Sequence, residues 1–154
     1  MEMNGSHIIP ADRETVWMAL NNPDVLRQAI PGCKELEQIG ENQLAAKVVA
    51  KVGPVKATFK GEVTLENIVA PESYTITGEG KGGIAGFAKG GANVKLTEVE
   101  GGTQLDYSVD AKVGGKLAQL GSRLIDGTAA KLANEFFENF SEIVSGEGEE
   151  AVDA

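Results

Sequence analysis

The chain has 154 residues, of which 42% are hydrophobic and 24% are charged. This composition is typical of one globular domain and excludes wholesale disorder. Its 23 acidic and 14 basic residues give a net charge of −9, which argues against nucleic acid as a partner because phosphate backbones are repelled.

The first thirty residues predict one strand followed by two short helices. Residues 1–9 form a short extended segment that a proline closes. Apolar residues then recur at helical spacing over 13–22, after Asp12, which is suited to cap a helix N-terminus. An Asn-Pro-Asp tripeptide interrupts that pattern, and residues 25–30 allow one or two further turns before a Pro-Gly pair.

Between Cys33 and Gly114 the apolar period changes to two, which predicts six antiparallel strands. In the clearest of them, residues 55–65, apolar or small side chains alternate with Lys, Thr and Glu. Turns rich in glycine and proline separate the strands, as expected for a series of hairpins. Such a sheet has one solvated face and one apolar face.

Residues 116–144 contain no proline and return to a helical period, which predicts one long C-terminal helix. One side of that helix is apolar or small, and the opposite side is charged. Residues 146–154 are acidic and contain glycine, so we expect a disordered tail. The predicted organisation is one domain over residues 1–145 and a tail over 146–154.

The predicted order of elements specifies an α+β architecture. A single sheet with one apolar face needs a cover, and only the last helix is long enough to provide it. The expected structure is a helix-grip fold. In this fold a curved seven-stranded antiparallel sheet wraps around a long C-terminal helix, and two short helices follow the first strand.

Many inward-facing positions of the sheet carry only glycine or alanine, and the helix presents Gly121 and Thr128 toward them. This pattern indicates an apolar pocket for a hydrophobic ligand, whereas the alternative is a helix lying tight on the sheet. The small positions are Ala46, Ala50, Ala57, Gly61, Gly78, Gly80, Gly86, Ala88, Gly90 and Ala92. The predicted ligand-binding residues are Phe59, Tyr74, Gly78, Ala88, Ala92, Tyr107, Gly121, Ile125, Thr128 and Phe136.

The glycine-rich stretch 81–89 predicts a hairpin with an apolar tip. Ile84 lies near its turn, Phe87 falls on the solvated parity, and Lys81 and Lys89 flank them. Exposed apolar residues with basic neighbours suit a membrane surface or a protein partner. Because the chain carries a charge of −9, we expect any attraction to an anionic membrane to be local and mostly hydrophobic.

The chain contains few residues that could carry catalysis or bind a metal. Its one histidine, His7, shares a strand parity with apolar residues and is interpreted as structural. Its one cysteine, Cys33, cannot form an internal disulfide, which indicates a reducing cytoplasm. No apolar run is long enough to span a bilayer. We therefore expect no catalytic residue, no metal site and no bound cofactor.

Three separated motifs resemble one protein family. They are residues 30–33 (IPGC), residues 51–61 (KVGPVKATFKG) and residues 114–121 (GGKLAQLG). Together with Trp17 and Leu20, they are similar to the family of the carbon monoxide dehydrogenase G subunit over residues 1–144. That family belongs to the START-like and Bet v 1-like superfamily of lipid-binding helix-grip domains, so the resemblance implies the same fold.

The resemblance also implies an accessory protein of a molybdenum-containing carbon monoxide dehydrogenase, or of a related molybdenum hydroxylase. Its partners would be that enzyme's subunits and a lipid- or quinone-like molecule, with a role in membrane recruitment or electron-acceptor handling. A transient contact at the inner face of the membrane and a homodimer are left open. Two alternatives remain: an enzyme of the same superfamily, cyclase or hydrolase-like, and a plain dimeric interaction module.

Overall fold

A computed structural model describes the backbone of residues 1–153 and the side chains of residues 1–145. Within that range the strands are β1 Glu2–Ile9, β2 Cys33–Gly40, β3 Gln43–Val52, β4 Val55–Val69, β5 Ser73–Lys81, β6 Phe87–Val99 and β7 Gly102–Gly114. The helices are α1 Arg13–Leu20, α2 Pro23–Ala29, α3 Lys116–Gln119 and α4 Ser122–Asp153, with a 3-10 turn at Gly83–Ala85. The tail predicted over residues 146–154 lies outside the residues that are described in full.

The seven strands form one sheet in the order β1-β7-β6-β5-β4-β3-β2. Every neighbouring pair is antiparallel, and β2 to β7 follow one another as hairpins. The first strand joins the far edge, beside the last one. The helix-grip architecture predicted from the sequence is thereby confirmed, including the two short helices after β1.

The two short helices begin where side chains cap their first backbone amides. The Asp12 carboxylate accepts a hydrogen bond from the Thr15 amide at 2.7 Å, as its position predicted. The Asn22 side chain accepts from the Asp24 amide at 2.9 Å, and Pro23 occupies the first turn of α2. These caps turn the chain twice between β1 and β2.

The prediction of one continuous helix over 116–144 is wrong, because the helix is divided at Gly121. This residue has a φ of +91°, a left-handed conformation in which an α-helix cannot continue. The short helix α3 is thereby separated from α4, and it packs against β7 and the 3-10 turn at Gly83–Ala85.

The tightly packed core lies at one end of the sheet, beneath the C-terminal half of α4. Here the halves of α4 refer to the part with described side chains, and the C-terminal half is residues 133–145. Phe140 and Val144 of α4 are almost completely buried there, and α1 and α2 close the same end. The Asn139 side-chain amide donates to the Ala29 carbonyl at 3.1 Å and ties α4 to α2. The other members with little or no exposure include Ile9, Val16, Val25, Leu96 and Leu105. The N-terminal half, residues 122–132, is by contrast exposed or only half-buried.

Candidate functional site

The inward side chains of the sheet become smaller with distance from this core. On β6 the inward series runs Leu96, Val94, Ala92, Gly90, Ala88. On β5, Gly78 lies opposite Gly90 and Gly80 lies opposite Ala88. Because side-chain size decreases in the same direction on these adjacent strands, one end of the concave face carries only small residues on β5 and β6.

A cavity of about 370 Å³ lies between the concave face and α4. The helix contributes Ala133, Phe136 and Phe137, and α1, α2 and the strands supply the remaining walls. Among the described residues, every side chain lining this cavity is apolar except those of Tyr74 and Tyr107. The cavity therefore suits a hydrophobic molecule of modest cross-section.

An open groove of about 340 Å³ continues from the cavity along the small-residue end of the sheet. The two spaces adjoin because Ala46, Gly61 and Ala92 line both. Of the residues with described side chains, none from α4 lines the groove. The N-terminal half of the helix thus leaves the groove uncovered.

The structure divides the ten predicted ligand-binding residues into three groups. Four line the cavity: Tyr74, Ala92, Tyr107 and Phe136. Three more line the groove, together with Ala92: Phe59, Gly78 and Ala88. The three from the start of the helix line neither space: Gly121, Ile125 and Thr128.

The placement of those last three residues in the cavity wall was wrong because only the C-terminal half of α4 reaches the cavity. A Cβ atom at Gly121 would meet nothing within 4 Å, so this glycine is required by its backbone conformation and not by a close contact. The sequence reasoning also missed Phe137. Its spacing from Ala133 and Phe140 is helical and could have identified it.

Aromatic rings form one wall of the cavity. Tyr107 and Phe137 stack with their ring centroids 5.3 Å apart, and His7 stacks on Phe137 at 4.2 Å and on Tyr107 at 6.0 Å. The phenol of Tyr107 lies directly over Gly5, its cross-strand partner on β1, where any side chain would collide with it. Trp17 of α1 meets Tyr74 edge-to-face at 5.3 Å. These contacts fix the two tyrosines in place.

Two titratable groups near the cavity, Tyr74 and His7, are uncharged at neutral pH. Burial raises the pKa of Tyr74 well above its ordinary value, so its phenol keeps its proton. Burial also lowers the pKa of His7 below its ordinary 6.5. The phenols of Tyr74 and Tyr107 can donate hydrogen bonds to a ligand oxygen. The protonated phenol of Tyr74 is not an acid–base group for chemistry near pH 7.

The Cys33 thiol is not activated, and the described residues form no metal-binding cluster. Burial raises the pKa of the Cys33 thiol, an effect that the nearby Arg27 only partly opposes. Over the described residues, no cluster of three or more His, Cys, Asp or Glu side chains could hold a metal ion. The same part of the chain contains no helix that is both long and apolar enough to cross a bilayer.

The hairpin between β5 and β6 presents its apolar residues to solvent. Ile84 is 86% exposed and Phe87 is 42% exposed, with the Phe87 ring lying across Gly114 of β7. Lys81 forms a salt bridge of 3.6 Å with Glu79, and Lys89 is exposed.

Comparison with known proteins agrees with this architecture. The family model of the carbon monoxide dehydrogenase G subunit (CoxG) matches residues 5–145. The chain belongs to the CoxG family. A solved structure of a conserved protein from Geobacillus kaustophilus is 33% identical to this CoxG-family chain, with a TM-score of 0.89, and the match covers 95% of this chain and 96% of that one. No match was found among the curated proteins.

More distant structures are similar to this CoxG-family chain in their helix-grip fold. A Chromobacterium violaceum protein is 11% identical with a TM-score of 0.71, and the match covers 93% of this chain and 96% of that one. The Zhui aromatase/cyclase from Streptomyces sp. R1128 is 12% identical with a TM-score of 0.67, over 94% of this chain and 93% of that one.

Proposed function

We propose that this CoxG-family chain is a non-catalytic accessory protein that binds one hydrophobic molecule between its sheet and α4. Its enzyme partner would be a molybdenum-containing carbon monoxide dehydrogenase or a related molybdenum hydroxylase, as the family description suggests. The observation that carries the proposal is the cavity of about 370 Å³ with its apolar lining. Unfilled space inside a domain forfeits dispersion contacts, which a bound molecule restores.

A lipid- or quinone-like ligand suits the joined cavity and groove. The aromatic wall of the cavity could pack against a ring or the first part of a chain, and Tyr74 and Tyr107 could donate hydrogen bonds to a carbonyl or ester oxygen. The open groove leaves room for the rest of a longer molecule. Such a ligand fits a role in handling electron acceptors or in recruiting the enzyme to the inner face of the membrane.

The exposed hairpin tip is the surface that we assign to docking on a membrane or on the partner enzyme. It consists of Ile84 and Phe87 with Lys81 and Lys89 beside them. Apolar side chains with this degree of exposure are commonly found at contact sites.

An enzyme of the same superfamily is the second candidate, because the Zhui aromatase/cyclase shares the fold. Against it, the titratable side chains that line the cavity within the described residues are two tyrosines. Acid–base catalysis near neutral pH is most often carried out by histidine or by a carboxylate, and neither lines this cavity among the described residues. We therefore favour the carrier over the enzyme.

The direct test is extraction of the purified protein with organic solvent, followed by mass spectrometry. We expect one apolar compound in near-stoichiometric amount. Protein that yields no such compound and takes up no fluorescent fatty acid after delipidation would contradict the proposal.

Substitution of Ala92, which lines both the cavity and the groove, should then separate binding from folding. We expect Ala92→Leu to weaken probe uptake by about tenfold or more, equivalent to roughly 1.4 kcal/mol. The stability cost should stay below the 1–3 kcal/mol that is typical of overpacking, because the added group enters free space. Fluorescence titration and urea denaturation measure the two effects.

The matched control is Thr97→Leu, which adds a leucine to the same strand on the solvated face. It should leave probe uptake unchanged. Equal loss of uptake in both variants would mean that Ala92 does not border the binding site.

A further inference from the structure

On the outer face of the sheet, opposite α4, lysine repeatedly lies opposite lysine on the neighbouring strand. The pairs in register are Lys47–Lys60, Lys60–Lys81, Lys51–Lys56 and Lys89–Lys112. Directly opposed like charges destabilise a sheet. The chain has more acidic than basic residues, yet lysine and not a carboxylate lies opposite lysine in each of these pairs. Lys47 and Lys89 also face a carboxylate on their other neighbouring strand, Glu35 and Glu79 respectively. The lysine–lysine pairs remain unfavourable for folding, which points to an anionic partner outside the molecule.

These lysines gather at one end of the protein, which we call the hairpin end. We define it as residues 45–62, 79–89 and 112–126. The segments contact one another: α3 packs on the 3-10 turn, and Leu124 at the start of α4 reaches Gly53 in the β3–β4 turn. The small-residue groove lies along the inner face of this same end.

The charge of the hairpin end is opposite to that of the rest of the chain. Its three acidic residues are Glu62, Glu79 and Asp126. Its nine basic residues are Lys47, Lys51, Lys56, Lys60, Lys81, Lys89, Lys112, Lys116 and Arg123. The remainder of the sequence holds five basic and twenty acidic residues. A net charge of −9 thus conceals a positive pole.

Most of this positive charge is unneutralised. Lys47 pairs with Glu35 of β2 at 3.7 Å, and Lys81 pairs with Glu79 at 3.6 Å. Within the described side chains, the remaining basic residues of the hairpin end form no salt bridge. They are all exposed and can reach an external anion.

The same end carries exposed apolar side chains. Ile84 protrudes from the hairpin at 86% exposure, and Phe87 and Leu124 are 42% and 37% exposed. Flexible lysines around an isolated aliphatic tip are typical of a surface that binds a lipid bilayer. Protein interfaces, in contrast, are depleted in lysine.

We infer that the hairpin end docks on an anionic lipid bilayer, with Ile84 at the level of the headgroups and the lysines on lipid phosphates. This inference differs from the expectation, stated in the sequence analysis, that attraction to an anionic membrane would be mostly hydrophobic. At 0.1 M salt, electrostatic interactions are screened beyond about 10 Å. Attraction to the membrane therefore depends on the positive charge of the hairpin end and not on the net charge of the chain. If the proposed function holds, the groove would face the membrane from which its ligand comes.

The test uses the full chain and flotation with vesicles of phosphatidylcholine, with or without phosphatidylglycerol. The triple variant Lys56→Gln, Lys60→Gln, Lys112→Gln removes one member of every opposed lysine pair. We expect the parent to bind only the vesicles that contain phosphatidylglycerol, and binding to fall with added salt. The triple variant should bind about tenfold or more weakly.

The matched control is Arg27→Gln, Lys95→Gln, Lys131→Gln, which removes the same charge elsewhere and should bind like the parent. Thermal melting checks folding, and the first variant should be at least as stable as the parent because repulsion is relieved. The inference would be overturned if phosphatidylglycerol did not increase vesicle binding by the parent, or if both triple variants lost vesicle binding equally. Probe uptake measured without vesicles reports on the cavity separately, so the two proposals can fail independently.

Discussion

Gly5 and Tyr107 show how one absent side chain shapes the cavity wall. The phenol of Tyr107 occupies the space above Gly5, and the ring then stacks on Phe137 of α4. A larger residue on β1 would push Tyr107 from this position and alter the cavity. The glycine is therefore needed for close approach, since its own backbone conformation is an ordinary extended one.

His7 offers a clean pH prediction because the chain has one histidine. Burial lowers its pKa below 6.5 in the folded protein, so the unfolded chain binds the proton more readily. Stability from this group is complete above pH 6.5 and is lost as the pH falls from 6.5 through the lower folded pKa. An NMR titration of the imidazole should give a midpoint below 6.5.

The variant His7→Gln separates the contribution of His7 to the pH dependence of stability from the contribution of the carboxylates. Its stability should fall less steeply than that of the parent below pH 6.5 in urea denaturation. A midpoint at or above 6.5 would mean that the ring is solvated and does not stack on Phe137.

At the scale of elements, α4 has two halves with different environments. Its C-terminal half packs into the core through Phe140, which is 0% exposed. Its N-terminal half stands beside the open groove, where Leu124 makes a peripheral contact with the β3–β4 turn. The helix is continuous, but its stabilising contacts are concentrated at one end.

Truncation of one side chain in each half should reveal this asymmetry. Phe140→Ala should lower the free energy of unfolding by about 3–5 kcal/mol, because it leaves a cavity in the core. Leu124→Ala should cost less than about 1 kcal/mol. Denaturant unfolding gives both values, and comparable losses would show that the N-terminal half is packed as firmly as the C-terminal half.

The elements follow closely from the sequence because their signals are local. Alternation over residues 55–65 specifies a strand whose inward face can be assigned residue by residue. Gly121 gave no such signal, since it fits the small side of a helical pattern and its positive φ depends on how α3 docks. Placing Ile125 and Thr128 at the cavity failed for a related reason: tertiary packing decides which half of a helix touches the sheet.

For the whole molecule, ligand binding and stability should be linked. A molecule that binds only the folded state raises stability by about 2.7 kcal/mol at a hundredfold excess over its Kd. Delipidated protein should therefore melt roughly 5–10 °C below the liganded protein, since each kcal/mol shifts a domain of this size by 2–4 °C. Scanning calorimetry before and after delipidation measures the difference.

The variant Ala92→Leu serves as the control in this experiment, because its added side chain occupies the binding space. Its melting temperature should change little on delipidation. Identical melting of the parent before and after extraction would indicate that nothing bound in the cavity contributes to its stability.

The groove that α4 leaves uncovered has a consequence for selectivity. A pocket that is closed at both ends selects ligands by length, whereas a channel that is open at one end selects them only by width. Members of a homologous series that differ in their number of repeating chain units should compete almost equally, with the surplus units projecting past Ala88 and Gly80. Broad or branched ligands would bind more weakly, because they would clash with the aromatic wall of the cavity. If the proposed ligand is lipid- or quinone-like, the length of its chain would then have little effect on its affinity.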